Sequence, residues 1–401
     1  MAQAGTVTVL GGGNVTPAKR LIMMGKTQPI ATFTRSSIAY LSDGTQVATN
    51  KPRFEPGKFG KAIMVEEETT NLIGSVGSFE TDSNGAGIAD GWNAVLYGSI
   101  PSLVNDSLFG IKAQRITSTT SDTNAARRIE KNVSITGGKT YTFSAYAKTD
   151  GATPAYLRID TNGNTPVSLA SLKTTATTWT KLQVTFTAPA DATSVYVRCY
   201  NDAPIGAVGW VQFDGAQLEA KPYATSFTDE TRGKEMLRVP TEGVLNPQEG
   251  TVEFWVKPLV VGNWNNFFFM ILSNGRFLLF FDSTGLAKFD YGPTNSGIET
   301  PSGIISANNW HHIVLRWSAT TDKQALFVNG VKYEQDLPNG VATSFPETAP
   351  VVHTYSAYID DLRISSRARS DEEILAAYQS GQPLQWDEWT TYKADFDGKI
   401  R

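Results

Sequence analysis

The chain has a single cysteine, Cys199, in 401 residues, so no intrachain disulfide can form. Cys199 lies in the alternating run SVYVRCY, which reads as a strand with a small buried thiol and not as a nucleophile. Long apolar runs are also missing. The longest, Phe267–Leu272, falls far short of the roughly 20 residues a membrane helix needs, so no membrane insertion is expected. Lys and Arg number 35 against 39 Asp and Glu, well mixed, with no basic stripe to suit a nucleic acid. The first residues hold no charged segment followed by an apolar one, which predicts synthesis in a cytoplasm without a secretory signal.

Helical periodicity is scarce too. One helix is predicted, over Ser370–Gln379, with Ser370 as its cap, Glu373 as capping-box partner and Gly381 at its close. What remains is strand. Between residues 139 and 220 the runs KTYTFSAYAKT, PAYLRIDT, WTKLQVTFTAP, TSVYVRCYN and GWVQFDGAQLEA alternate apolar with polar side chains and end at Gly, Pro, Asn or Asp. Seven more runs follow, from GTVEFWVKP (250–258) to SAYIDDLRIS (356–365). Strands at such spacing without intervening helices predict an all-β protein of antiparallel sandwiches. Residues 1–30, broken by Gly11–Gly13 and poor in apolar side chains, read as an extended arm. Residues 384–401 carry Trp386, Trp389, Tyr392 and Phe396, a density that implies docking, on this chain or on another.

The stretch GTVEFWVKP, NWHHIVLRWSA, QALFVNGV and AYIDDLRISSRARSDEEI resembles the LamG-like, concanavalin A-type jelly rolls, and GKFGKAIMV (57–65) with EMLRVP (235–240) resembles the family's preceding strands. The residues between them resemble family 4/9-type carbohydrate-binding modules, through NLIGSVGSFE (71–80), Gly91-Trp92, WTKLQVTFTAP and VQFDGAQLEA. The resemblance implies one jelly roll (31–68 and 227–383) with a second (69–226) inserted in it. AQLEAKPYATSFTDET (216–231) and VEEETTNLI (65–73) resemble linkers of bacteriophage tail and minor structural proteins. They imply a virion surface protein that binds host or environmental glycans, forms a homo-oligomer and contacts other virion proteins through 1–30 and 384–401. A scaffold without sugar binding and an accessory carbohydrate-binding protein of a glycan-degrading system stand as the alternatives.

No catalytic set is visible. Retaining glycosidases need two carboxyls about 5 Å apart on one face, whereas Glu66, Glu67 and Glu68 are consecutive and Asp360 and Asp361 adjacent, so neighbouring side chains point to opposite faces. His311 and His312 face opposite sides for the same reason, and the resemblance places His312 in the sandwich as a packed, hydrogen-bonded residue. The chain is therefore read as no enzyme. No cofactor is required, but the resemblance implies a structural calcium at Glu80 and Asp214; without it these are turn and edge carboxylates. Sugar-binding sandwiches use aromatic faces. The insert offers Trp92, Tyr97, Tyr146, Tyr156, Tyr200 and Trp210. Trp92 and Trp179 match core positions of the family and read as buried; Tyr97, Tyr156 and Trp210 are the better exposed candidates, with core or edge packing as the alternative for each. In the outer jelly roll Trp264, in the polar loop GNWNN, is a ligand platform or interface anchor.

Overall fold

A computed structural model of the chain describes residues 31–124, 126–261, 267–271, 276–292, 297–337, 345, 348–351 and 356–398. The arm 1–30 and Trp264 lie outside them. Within them the fold is all-β and antiparallel, with one α-helix, Asp371–Ser380. That helix has the predicted ends: the Ser370 side chain accepts from the Glu373 amide, Glu373 returns the bond, and Gly381 closes it at φ 60°. Gly381 is apt there because an L side chain is strained at such an angle.

The outer sandwich has two sheets. One runs Thr32–Thr34, Met236–Pro240, Thr348–Val351, Phe267–Ile271, Arg276–Phe281, Ala287–Gly292, Ile298–Glu299. The other runs Val331–Asp336, Lys323–Val328, His311–Ser318, Glu249–Pro258, Ala357–Ser365, Lys61–Val65, Arg53–Pro56. Thr390–Ala394 pairs along the same side of Ala357–Ser365 as Lys61–Val65 does, one short strand after the other. Between the sheets lie Phe254, Phe277, Leu279, Leu315, Trp317 and Ile359, each with no exposed surface. The tail is part of this core. Tyr392, Ala394 and Phe396 are fully buried in it, so of the two docking surfaces expected for the tail aromatics these rings take this chain's own; Trp389 stays at the surface.

The second sandwich pairs only within itself. One sheet runs Ser168–Ala170, Ala155–Thr161, Ser194–Asn201, Arg127–Ser134, Asn93–Val95; the other runs Thr180–Thr187, Thr140–Thr149, Gly209–Glu219, Ala113–Ser118, Ile100–Val104. Phe143, Leu157, Val184, Val197, Cys199 and Phe213 fill the space between. The chain enters and leaves this unit side by side, because Thr69–Thr70 pairs with Thr231–Arg232. The second sandwich is thus inserted in the first.

At this junction five charged side chains are buried, all 0–1% exposed: Arg35, Arg53, Glu66, Arg232 and Glu235. The fork of Arg53 holds both Glu235 oxygens, at 2.8 and 2.7 Å, and Glu66 at 2.7 Å. Arg35 meets Glu235 from the other side at 2.8 Å and gives three further hydrogens to the carbonyls of Ser37, Val47 and Ala48. Arg232 stands 3.2 Å from Glu66 and donates to the carbonyls of Ser226 and Glu67. Burial opposes the charge on Glu66, yet Arg232 and Arg53 overcome it and hold its carboxyl well below the usual carboxylate range. Planar guanidinium forks suit such shared carboxylates better than ammonium groups do.

Breaking one partner of a buried pair leaves an uncompensated charge and costs about 3–5 kcal/mol. Glu235→Gln is therefore expected to lower unfolding free energy by about that amount in urea titrations. A loss below about 1 kcal/mol would contradict the role given to the cluster. A depressed carboxyl adds stability above its ordinary pKa of 4.5 that is lost as pH falls. Glu66→Gln should accordingly flatten the stability decline below pH 4.5, and a slope like that of the parent chain would count against this assignment.

Candidate functional site

Alternation along three neighbouring strands puts every second side chain of the 93–201 sheet on its outer face. The register then builds three rows. Arg128, Tyr200 and Tyr156 stand in the first; Glu130, Arg198 and Arg158 in the second; Asn132, Tyr196 and Asp160 in the third. The rings of Tyr156 and Tyr200 are stacked, with centroids 4.6 Å apart and planes 8° from parallel. Lys173 covers the far side of Tyr156 at 5.4 Å, and Arg128 that of Tyr200 at 5.6 Å. Tyr200 is consequently buried, and Tyr156 is half-buried beside it. Tyr196, exposed, lies under the Arg198 guanidinium at 5.1 Å.

The charged groups between the rings hold one another in place. Glu130 accepts from Arg128 at 2.7 Å and Arg198 at 2.8 Å. Asp160 accepts from Arg158 at 2.9 Å and also from Arg198. Burial works against ionisation of both carboxyls, but these guanidinium bonds win and lower both pKa values. Burial also pushes the Tyr156 phenol up to about 12, so it remains a neutral donor and acceptor. The face therefore offers fixed donors, fixed acceptors and an apolar ring close together, without a nucleophile beside a base.

Of the residues singled out from sequence, the structure brings two to this face. Tyr156 is at its centre. Tyr97 follows the edge strand Asn93–Val95, is 43% exposed, and lies within electrostatic reach of Arg128. Trp210 belongs elsewhere: it projects from Gly209–Glu219 in the opposite sheet, with the Arg115 guanidinium 4.4 Å over its ring. Trp92 is buried and donates to the Val76 carbonyl. Sequence reasoning weighed Tyr200 and passed over it, and missed Arg128, Glu130, Arg158, Tyr196 and Arg198. Their signal was present as the polar half of each alternating run, but matching the rows needs the register.

Glu80 and Asp214 share another task. Asp214 Oδ2 accepts from the amides of Leu108 and Phe109, at 2.7 and 2.8 Å, and Oδ1 from Gly215 at 2.7 Å. Glu80 accepts from the amides of Ile111 and Lys112. Burial pushes Asp214 up to about 8, against those three amide bonds. Together the carboxylates hold the loop whose Phe109 packs on Tyr40 and Phe227 at the inter-module joint. This arrangement does not fit a calcium cage, since amide hydrogens take the oxygen positions a hard cation needs. Among the described residues no group of three or more His, Cys, Asp or Glu could hold a metal ion. His312 departs from its expectation as well. It packs against both Trp255 and Tyr378, which also stack on each other, but neither ring nitrogen has a hydrogen bond, and burial lowers it to about 3. The hydrogen-bonded histidine is His311, to Ser306 and Asn329.

Comparison with known proteins places both modules. Residues 231–375 match the family model described as the Concanavalin A-like lectin/glucanases superfamily. Residues 73–204 match that described as Carbohydrate binding domain, the 4/9 type. The chain thus contains a LamG-like domain and a carbohydrate-binding domain. No curated protein matches it. Among solved structures it resembles the CBM22-1–GH10 modules of a Clostridium thermocellum endo-1,4-beta-D-xylanase complexed with xylohexaose, at 16% identity over 41% of this chain and 30% of that one (TM-score 0.27). A CBM4 structure matches at 21% identity over 36% and 96% (TM-score 0.28). The heptameric SAP-like pentraxin from Limulus polyphemus matches at 16% identity over 40% and 83% (TM-score 0.31).

With the loop held by amide hydrogen bonds, added calcium or EDTA is expected to leave the melting temperature unchanged. A rise of several degrees with calcium, abolished by Asp214→Asn, would show that the loop opens to admit a cation.

Proposed function

We propose that this chain is a non-catalytic glycan-binding protein whose ligand lies across the face formed by Arg127–Ser134, Ala155–Thr161 and Ser194–Asn201. The observation that carries this reading is the stacked Tyr156–Tyr200 pair beside the Glu130–Arg198–Asp160 grid, within the segment that matches a carbohydrate-binding family. A pyranose ring has one apolar C–H face and a rim of hydroxyls. Tyr156 would take the former, and the pre-oriented guanidinium and carboxylate groups would read the latter in both hydrogen-bonding senses. Tyr200, held between Tyr156 and Arg128, keeps Tyr156 upright. Lys173, whose side chain is 59% exposed, covers the one open side of Tyr156. An exposed cation–π contact is worth roughly 0.5–1 kcal/mol, and the surface pairing of Lys173 with Asp202 about 0–1 kcal/mol, so a sugar can displace Lys173 at modest cost.

Two settings suit such a face. On a bacteriophage particle, as the linker phrases suggest, weak binding would gain strength from many copies. Beside a glycan-degrading enzyme, as an accessory module, the same face would keep the chain on its polymer. The family match of residues 73–204 supports the second setting at least as well as the first.

Tyr156→Ala is expected to weaken binding to any glycan identified on an array by tenfold or more, about 1.4 kcal/mol. Trp210→Ala, on the opposite sheet, should leave it unchanged, and Lys173→Ala should leave it unchanged or tighter. Equal losses in Tyr156→Ala and Trp210→Ala would move the site off this face. Silence of the parent protein across neutral and charged glycans would argue for a scaffold.

A further inference from the structure

The outer sandwich has a cavity of about 530 Å³ that this function does not use. It arises from strand geometry. Along Ala357–Ser365, pairing with Lys61–Val65 reaches Ile359, and pairing with Thr390–Ala394 starts at Leu362. Asp360 and Asp361 fall in the gap, and on the other side the register with Glu249–Pro258 slips at the same place. Two short strands meeting end to end beside a long one leave room there, and the cavity opens at their meeting point.

Its walls are acidic and aromatic. Asp360, Asp361, Asp395 and Asp397 supply four carboxyls, and Phe59 and Trp386 supply rings. Lys393 is the one cation among the lining residues. Its ammonium already sits between Asp361, at 3.0 Å, and Asp395. Asp360 has no such partner. It lines the cavity from a fully buried position; its Oδ2 accepts from the amides of Lys58 and Phe59, and its Oδ1, also buried, has no hydrogen bond. Burial pushes its carboxyl up to about 6, as befits a buried acid short of a cation. A buried acceptor left unmade costs about 1–3 kcal/mol, so a donor that reached it would be well received. These acids do not converge as metal ligands do. Spread carboxyls with flanking rings suit a larger cation, held by charge, hydrogen bonds and ring faces.

We infer that the cavity between Asp360, Asp395, Asp397 and Trp386 binds a primary ammonium group carried on a ligand. Lys393 marks the chemistry, since an alkylammonium is already bridged by two of the four carboxylates. The group could be the side chain of a lysine or the amine of an amino sugar, and both share this recognition. Tail residues build most of the wall, so the site belongs to this chain's own C-terminal segment and is far in sequence from the Tyr156 face.

Calorimetric titration of the full chain at pH 7.5 tests this. The probes are Nα-acetyl-lysine methylamide and glucosamine, each against a neutral counterpart, Nα-acetyl-norleucine methylamide and N-acetylglucosamine. At least one ammonium probe should bind and its neutral counterpart should not; which one binds identifies the source. The doubly substituted Asp395→Asn/Asp397→Asn protein changes only exposed carboxyls and should weaken that binding at least tenfold. Trp386→Ala should weaken it too. Absence of heat with both ammonium probes overturns the inference. So does equal binding of charged and neutral probes, or binding that the double substitution leaves unchanged.

Discussion

Everything in this molecule hangs on the charge cluster at the point where one sandwich is opened to admit the other. Arg53 comes from the strand before the insertion, Glu66 from its threshold, Arg232 and Glu235 from just beyond it, and Arg35 from the start of the described chain. Three guanidinium groups around two carboxylates have no water to share, so each depends on the others for its solvation. Hydrophobic burial alone would not fix which segments meet, because apolar contacts are non-directional. Forked, charge-assisted hydrogen bonds do. They bring residues about 180 positions apart into one register, and Ser226 adds its amide and hydroxyl to Glu66 from the last residues of the insert. The cluster thereby ties the position of the inserted sandwich to the fold of its host.

A second constraint is used twice. In the inserted sandwich Asp214 accepts the amides of Leu108 and Phe109; in the outer one Asp360 accepts those of Lys58 and Phe59. Each loop continues into a glycine at positive φ, Gly110 or Gly60. Each aspartate sits beside a slip in register, and the next residue, Gly215 or Asp361, is left-handed. At Gly215 a Cβ would stand 2.6 Å from the Phe109 ring, which leaves glycine as the fit. Asp361 tolerates the same backbone because its carboxylate accepts the Leu384 amide and pairs with Lys393. The two sandwiches thus share one device, a carboxylate that pins an aromatic loop, and put it to different ends. Phe109 goes to the joint between modules, Phe59 to the wall of the acidic cavity.

Much of this was legible in the sequence, and the boundary has a physical cause. Strands declare themselves because the alternation of a run such as PAYLRIDT records which side faces the core. The helix declares itself because Ser370, Glu373 and Gly381 act on their own local backbone. Neighbourhood across a sheet is not local. Tyr156 and Tyr200 are 44 positions apart, and only the register of Ala155–Thr161 with Ser194–Asn201 stacks them. Trp210 could not be placed for that reason: its strand alternates just as well, and nothing in the run says which sheet it joins or that Arg115 covers the ring. Likewise Arg35, Arg53 and Arg232 look like surface arginines in a linear reading, since their burial depends on partners far along the chain.

The architecture also separates the two surfaces offered for binding. The Tyr156 face is built wholly on regular strands of the insert, where side chains backed by a packed core keep their spacing. Its two carboxylates are already bridged by its three guanidinium groups before any ligand arrives, so a neutral sugar exchanges water for groups already oriented and need not reorganise them. The cavity by Asp360 is the opposite case. It sits at an interruption of strand pairing, carries more carboxyls than cations, and holds a buried oxygen without a donor. Regularity favours recognition of shape and hydroxyl pattern, whereas an interruption that strands charge favours an ion. One chain can therefore carry two chemistries without conflict, because the insertion that joins them also keeps them on different cores.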